Sequence, residues 1–209
     1  MYVKNHMTPN PYTLQPDATI ADALDLMRSK KIRRLPVVKN GKLVGIVTER
    51  KLLEVSPSPA TSLSIFEINY LLSKTKIDTI MTKNVLTVNP DSLIEEAAIL
   101  MRNNDIGALP VVEDGKLVGI ITETNIFDAF ISILSFRERG TRLTIFIDQD
   151  KPGLLEKISG IIAKYNINIS HLVFYENELV IKLDSLNVEN VIEQIKSSGF
   201  KVVSVIKNS

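Results

Sequence analysis

The chain has no cysteine and no tryptophan among its 209 residues, and only two histidines. Without thiols there is no disulfide, no thiolate metal site and no cysteine nucleophile, a composition that fits a reducing compartment. His6 and His171 have no second histidine or carboxylate at a metal-ligand spacing, so no metal is expected. Long apolar runs are also scarce. The most apolar stretch, Ile126 to Phe136, contains Asp128 and is too short to span a bilayer, so it reads as a buried helix. The start, Met1 to His6, lacks the apolar core of a secretory leader. Charge of one sign is missing too: 25 basic residues face 24 acidic ones, dispersed along the chain, for a net charge of +1. That balance excludes a polybasic nucleic-acid scaffold or membrane anchor. The expectation is a cytoplasmic protein with neither nucleic-acid nor membrane partner. At this length, 44% hydrophobic residues suffice to bury two cores.

What the chain does have is a duplication. Met7 to Leu53 and Met81 to Phe127 align without a gap at an offset of 74, and 24 of the 47 paired positions are identical. The match is longest from Leu35-Pro36-Val37-Val38 through Gly41-Lys42-Leu43-Val44-Gly45-Ile46, against Leu109 to Ile120. Two such units can pack with approximate two-fold symmetry and form two related clefts.

Each repeat reads as strand, helix, strand, strand, helix. In the first, Tyr12 to Leu14 is a short strand, and Asp17 is placed to cap a helix through Ile20, Ala23, Leu24 and Met27. Leu35–Val38 and Leu43–Val47 are strands joined by Asn40-Gly41, and Asp114-Gly115 does the same in the second repeat. Ser92 and Glu95 fit a capping box there. Between the repeats, Ser56-Pro57-Ser58-Pro59 breaks a helix, and Ser64 with Glu67 caps the next one, through Ile65, Ile68 and Leu72. This predicts a packed connector. From Thr141 the order is strand (Leu143–Ile147), helix (Leu154–Tyr165), two strands (Ile167–Phe174 and Leu179–Leu183), helix (Val188–Ser197) and strand (Phe200–Ile206). That is the ferredoxin-like pattern.

The Met-Thr at each repeat start, the Leu-Pro-Val-Val strand and the Gly-Ile-hydrophobic-Thr segment resemble the CBS motif, named after cystathionine β-synthase. The last part resembles the ACT domain, with Asp150-Lys151-Pro152-Gly153-Leu154-Leu155 matching that family's first strand-to-helix turn. A CBS pair followed by ACT is similar to the acetoin-utilisation accessory protein B family. The resemblance implies an α/β (α+β) fold: tandem CBS motifs (1–53 and 81–136) packed as a pseudo-two-fold module around a helical connector (54–80), with a ferredoxin-like ACT domain (141–209). The boundary falls at Arg137-Glu138-Arg139-Gly140. The resemblance further implies a regulatory module binding an adenosine-containing ligand such as AMP, ATP or S-adenosylmethionine. It implies an amino acid or dimer contact at the ACT domain, and a homodimer serving an unidentified protein partner.

An adenine nucleotide needs an apolar slot, polar groups for ribose and donors for phosphate. In the second repeat Thr87, Ile106, Gly107, Ala108 and Pro110 could line the slot, with small side chains letting a flat ring approach. The Thr122 hydroxyl and the helix amides beyond it can donate to phosphate. By resemblance, the residue three positions later is an aspartate that accepts from ribose. Here it is Asn125 in the second repeat and Lys51 in the first. A neutral hydrogen bond is worth about 0.5–1.5 kcal/mol against about 1.5–3 for a charged one. Asn125 therefore weakens a ribose ligand about tenfold, and Lys51, a donor only, weakens it more. Arg33 and Arg34 stand where the second repeat has Gly107 and Ala108. Arg34 can offer its fork to a phosphate, the alternative being ion pairs with Glu49 or Glu123. The expectation is one better cleft, with Thr87, Ile106, Gly107, Ala108, Thr122 and Asn125 on the nucleoside and Arg34 on the phosphate. The weaker cleft has Thr13, Ile32, Thr48 and Lys51. In the ACT part, the turn Asp150, Pro152, Gly153, Leu154 is the candidate ligand loop. The chain carries no phosphate loop, nucleophile elbow or His-Glu-x-x-His, and Asp148 and Asp150 flank a turn, so no enzyme and no cofactor are expected. The rival expectation is a constitutive dimeric scaffold that binds nothing small.

Overall fold

A computed structural model describes residues 1–56, 62–133 and 139–208. The chain divides into a first unit, Met1–Phe127, and a second, Asp128–Ser209. The first unit begins with a helical turn at Val3–Asn5 and β1 (Thr8–Pro9). Then come α1 (Ile20–Lys30), β2 (Arg34–Lys39), β3 (Lys42–Thr48), α2 (Glu49–Val55), α3 (Ile65–Lys74) and a second helical turn at Ile77–Thr79. α4 (Ile94–Asn103), β4 (Ala108–Glu113), β5 (Lys116–Thr122) and the start of α5 (Glu123–Ile133) complete it. The helix-breaking Pro57, Ser58 and Pro59, the end of the Ile126–Phe136 stretch, and Arg137 and Glu138 lie outside the described residues.

The two hairpins are set by their turns. Asn40 and Gly41 have φ of 52° and 78°, and Asp114 and Gly115 have 47° and 74°. These left-handed angles match the twist of the flanking strands. β2 pairs antiparallel with β3, and β4 with β5, each with a register shift after its first Val. Each hairpin is flanked by one residue of its own repeat: Leu14 bridges Val37, and Val88 bridges Val111, both parallel. The predicted strand at Tyr12–Leu14 is thus reduced to Leu14.

The repeats exchange their lead-ins. Thr8 of the first pairs with Ile120 of the second, and Thr82 of the second bridges Ile46 of the first. The hydrogen bonds repeat under the same offset. The Val3 amide donates to Ser92 O and that of Ile77 to Ala18 O, each at 2.9 Å. Glycine at each crossing lets the lead-in come close. A Cβ on Gly45 would run into the Met81 side chain and come within 3.1 Å of Thr82 O, and one on Gly119 would run into Met7 and within 3.2 Å of Thr8 O.

Buried apolar residues recur at matching positions: Ile20, Ala23 and Met27 in α1, and Ile94, Ala97 and Met101 in α4. Two caps differ from the sequence reading. α1 is capped by Thr19 rather than Asp17: Thr19 Oγ1 accepts from the Asp22 amide at 3.1 Å, and Asp22 accepts from the Thr19 amide at 2.9 Å. α4 starts behind Leu93, whose amide donates to Glu96 at 3.0 Å. Ser92 is instead drawn into a turn, donating to Asn89 O while accepting from Val3. The box of Ser64 and Glu67 on α3 is present.

The second unit runs β6 (Gly140–Phe146), α6 (Leu154–Ala163), β7 (Ile169–Tyr175), β8 (Glu178–Leu183), α7 (Glu189–Ser197) and β9 (Lys201–Asn208). Its sheet order is β7-β8-β6-β9, all antiparallel. This is the strand-helix-strand-strand-helix-strand arrangement expected from the sequence. Leu143, Ile145, Leu179 and Ile181 pack against Ile158, Ile162, Val191 and Ile195.

Candidate functional site

The exchange of lead-ins builds a cleft. The chain from Thr82, held on β3, to Val88, held beside β4, must cross from one repeat to the other. Asn84, Val85 and Leu86 on this crossing wall a cavity of about 980 Å³. Thr48 at the end of β3 and Glu49, Arg50, Leu53 and Glu54 of α2 form the side from the first repeat. Ile106, Gly107 and Ala108 at the entry to β4 form the side from the second, and Arg33 and Arg34 at the entry to β2 close it.

This grouping differs from the expected one. The structure joins the small-residue slot of the second repeat to Thr48 of the first, because the crossing lead-in brings the ends of β3 and β4 to one cavity. Thr122 and Asn125 do not line it, and neither do Thr87 and Pro110: Thr87 is exposed, and Pro110 is buried in β4. Of the residues assigned to the weaker cleft, Thr48 lines this cavity. Thr13 is exposed, Ile32 packs on the first repeat's core, and Lys51 is exposed on α2 with Nζ 3.9 Å from Glu54. Asn84, Val85 and Leu86 line it only because the crossing places them here, and Arg50, Leu53 and Glu54 of α2 and Asn104 and Asp105 after α4 complete the lining beyond the expected residues.

The cavity is bipolar. Leu53, Val85, Leu86, Ile106 and Ala108 supply apolar wall. Arg33, Arg34 and Arg50 supply cationic donors. Arg33 stands 3.7 Å from Glu49 with its side chain 82% exposed, and Arg50 donates to Glu54 at 3.0 Å. Both are therefore partly neutralised by solvated pairs. Arg34 differs: its guanidinium lies over Gly107, where a Cβ would strike both it and the Glu123 carboxylate.

The two threonines at the strand ends are placed alike but bonded differently. Asn125 Oδ1 accepts from the Thr122 amide at 2.9 Å and its hydroxyl at 2.7 Å. The oxygen expected to accept from ribose is therefore already occupied by the chain itself. Thr48 Oγ1 accepts from the Lys51 amide at 3.2 Å, and Lys51 offers no acceptor in return.

In the second unit, Gly153 adopts φ 87° and precedes α6, as a tight turn requires. A cavity of about 450 Å³ beside this turn is lined by Leu154 with Asp148, Gln149, Lys151 and Lys201; Asp150, Pro152 and Gly153 lie outside its lining. Among the described residues no three His, Asp or Glu side chains group so as to hold a metal, and no helix is long and apolar enough to cross a membrane.

Two repeats that trade lead-ins and share an arginine-edged cleft form one tandem module. The CBS domain profile matches residues 3–58 and 77–132, and the chain belongs to the CBS domain family. It is similar to the structure assigned as the acetoin utilization protein AcuB of Vibrio cholerae, at 36% identity and TM-score 0.54 over 65% of this chain and 93% of that one. It is also similar to the CBS domain pair of protein MJ0100 in complex with 5′-methylthioadenosine and S-adenosyl-L-methionine, at 30% identity and TM-score 0.53 over 63% and 97%. The plant protein CBSX2 in complex with AMP matches at 34% and 0.53 over 63% and 97%.

Proposed function

We propose that the chain is a non-catalytic regulatory protein whose CBS pair binds an adenosine-containing ligand of the AMP, ATP or S-adenosylmethionine class. The observation that carries this reading is the cavity of about 980 Å³, with an apolar slot at Ile106–Ala108 facing Thr48 and with Arg34 at its edge. Its size suits a nucleotide, and the complexes of MJ0100 and CBSX2 support the ligand class. The cavity is walled by both repeats, so a ligand with unequal affinity for two packings of the repeats shifts their balance. The second unit acts as an ACT-like sensor of a small ligand such as an amino acid, or as a dimer contact, and the AcuB likeness points to acetoin utilisation.

A second reading, a dimeric scaffold for a partner enzyme, is favoured by α3, where Ile65, Phe66 and Tyr70 are 63%, 82% and 62% exposed. Thermal denaturation separates the two. A ligand at 100 times its dissociation constant adds about 2.7 kcal/mol of stability. No shift with AMP, ATP or S-adenosylmethionine favours the scaffold.

A further inference from the structure

The connector helix α3 has two unlike faces. On one, Leu72 packs on the first repeat's core and Ile68 is half-buried. On the other, Leu63, Phe66, Glu67, Tyr70 and Leu71 line a groove of about 380 Å³. These positions lie three and four apart, the spacing of a single helix face. Phe66, Tyr70 and Leu71 are 82%, 62% and 43% exposed. With about 150–250 Å² on each aromatic side chain, the three leave roughly 400 Å² of apolar surface in water. The charges at the rim give this groove a direction. Glu67 is held toward its N-terminal end, Oε2 accepting from the Ser64 amide at 2.8 Å and from its hydroxyl at 2.7 Å. Lys74 lies at the other end, with Nζ 5.7 Å from the centre of the Tyr70 ring. About 10.5 Å of helix axis separates the two. The face is acidic at one end, basic at the other and apolar between.

We infer that a second copy of this chain covers the groove, the two α3 helices lying antiparallel about a two-fold axis between Tyr70 and Leu71. Glu67 then comes level with the partner's Lys74, the reverse pair forms by symmetry, and Leu71 meets the partner's Leu71. A parallel pair would set like charges side by side. A strongly acidic or basic partner would be matched at one end and opposed at the other. The face is complementary to its own reverse. Two copies withdraw roughly 800 Å² of apolar surface, two thirds of the about 1,200 Å² at which stable interfaces begin, and the flanking Leu63, Glu67 and Lys74 add to this. The inference does not rest on the nucleotide reading; it names what covers α3.

Because the chain has no cysteine, a single introduced thiol reports the contact. Under mild oxidation the full chain carrying Leu71→Cys should form a disulfide-linked dimer, since the two thiols stand beside the axis. Asn69→Cys, exposed on α3 but outside the groove, should give about tenfold less, its side chain pointing away from the partner. Adding Lys74→Glu to Leu71→Cys turns both attractive pairs repulsive and should cut the cross-linked fraction about tenfold. Lys74 is exposed, so the melting temperature of the monomer should hardly change, which separates this loss from misfolding. In sedimentation, Lys74→Glu alone should halve the mass of the assembly. Equal cross-linking at positions 69 and 71, none at 71, or an undiminished yield with Lys74→Glu would each overturn the inference. So would cross-linking of Leu71→Cys in cells to a different protein instead of to itself, an outcome that favours a partner enzyme on α3. AMP affinity is not among these readouts, so each failure leaves the nucleotide reading standing.

Discussion

The two repeats agree where they hold each other and differ where they line the shared cleft. Their crossings, hairpins and buried helix faces superpose residue on residue, down to Gly45 against Met81 and Gly119 against Met7. Their cleft ends do not: Lys51 faces Asn125, and Arg33-Arg34 face Gly107-Ala108. Mutual packing constrains both partners of a contact at once, whereas a cleft wall answers only to what enters it. A symmetric frame therefore holds an asymmetric site.

The comparison can be broken most strongly at Arg34. Arg34→Ala should weaken AMP by about 1.5–3 kcal/mol, roughly tenfold to a hundredfold, by loss of a charged hydrogen bond. Calorimetry reads this directly, and unchanged affinity would remove Arg34 from the phosphate. Next come the crossings. Gly45→Ala and Gly119→Ala should each cost about 1–3 kcal/mol in urea unfolding, since a methionine and a backbone carbonyl must give way. Their costs should be alike; a large inequality would mean that the repeats do not share the frame equally.

Gly107→Ala sharpens the contrast between frame and site. The atoms it meets are the ends of flexible side chains, Arg34 and Glu123, so stability should change by less than about 0.5 kcal/mol. AMP affinity should nevertheless fall several-fold as Arg34 is displaced. The smallest effect is at the helix caps. α1 has Thr19 and Asp22 bonded both ways, and α4 has only the Leu93 amide on Glu96. Thr19→Ala should cost about 1 kcal/mol. The Thr19 amide, and then its hydroxyl, hold the Asp22 carboxyl below its ordinary value of 3.8. The stabilisation from this bond is therefore complete at neutral pH and is lost as pH falls through that depressed value. Acid should therefore shrink the stability gap between the unaltered chain and Asp22→Ala, whereas the gap to Thr19→Ala, which also loses the uncharged bond from the Asp22 amide, should persist in part.

Local chemistry was legible in the sequence; connection across the molecule was not. Asn40-Gly41, Asp114-Gly115 and the Ser64 box announce themselves because the residues that decide them are adjacent or three apart. The order of elements in the second unit was readable for the same reason. Which sheet receives a lead-in is another matter. Met7-Thr8 and Met81-Thr82 are the same dipeptide and would fit either hairpin, so periodicity could not say that Thr48 shares a cavity with Gly107. The sequence carries one further signal. Thr122 and Asn125 have the three-residue spacing of a capping box, which already implied that the Asn125 oxygen had a partner. Asp17 and Ser92 misplaced the caps because each sits in the turn just before the helix, where acceptors are common.

The traded lead-ins also bear on how the chain is made. A ribosome delivers the first repeat complete in sequence but not in structure, since Thr8 finds Ile120 only after 112 further residues, while Thr82 meets Ile46 after 36. Closing the longer loop is less favourable by about 1 kcal/mol of chain entropy. The nascent chain would therefore dock its second lead-in before its first, and until β5 is synthesised the opening residues have no strand to join.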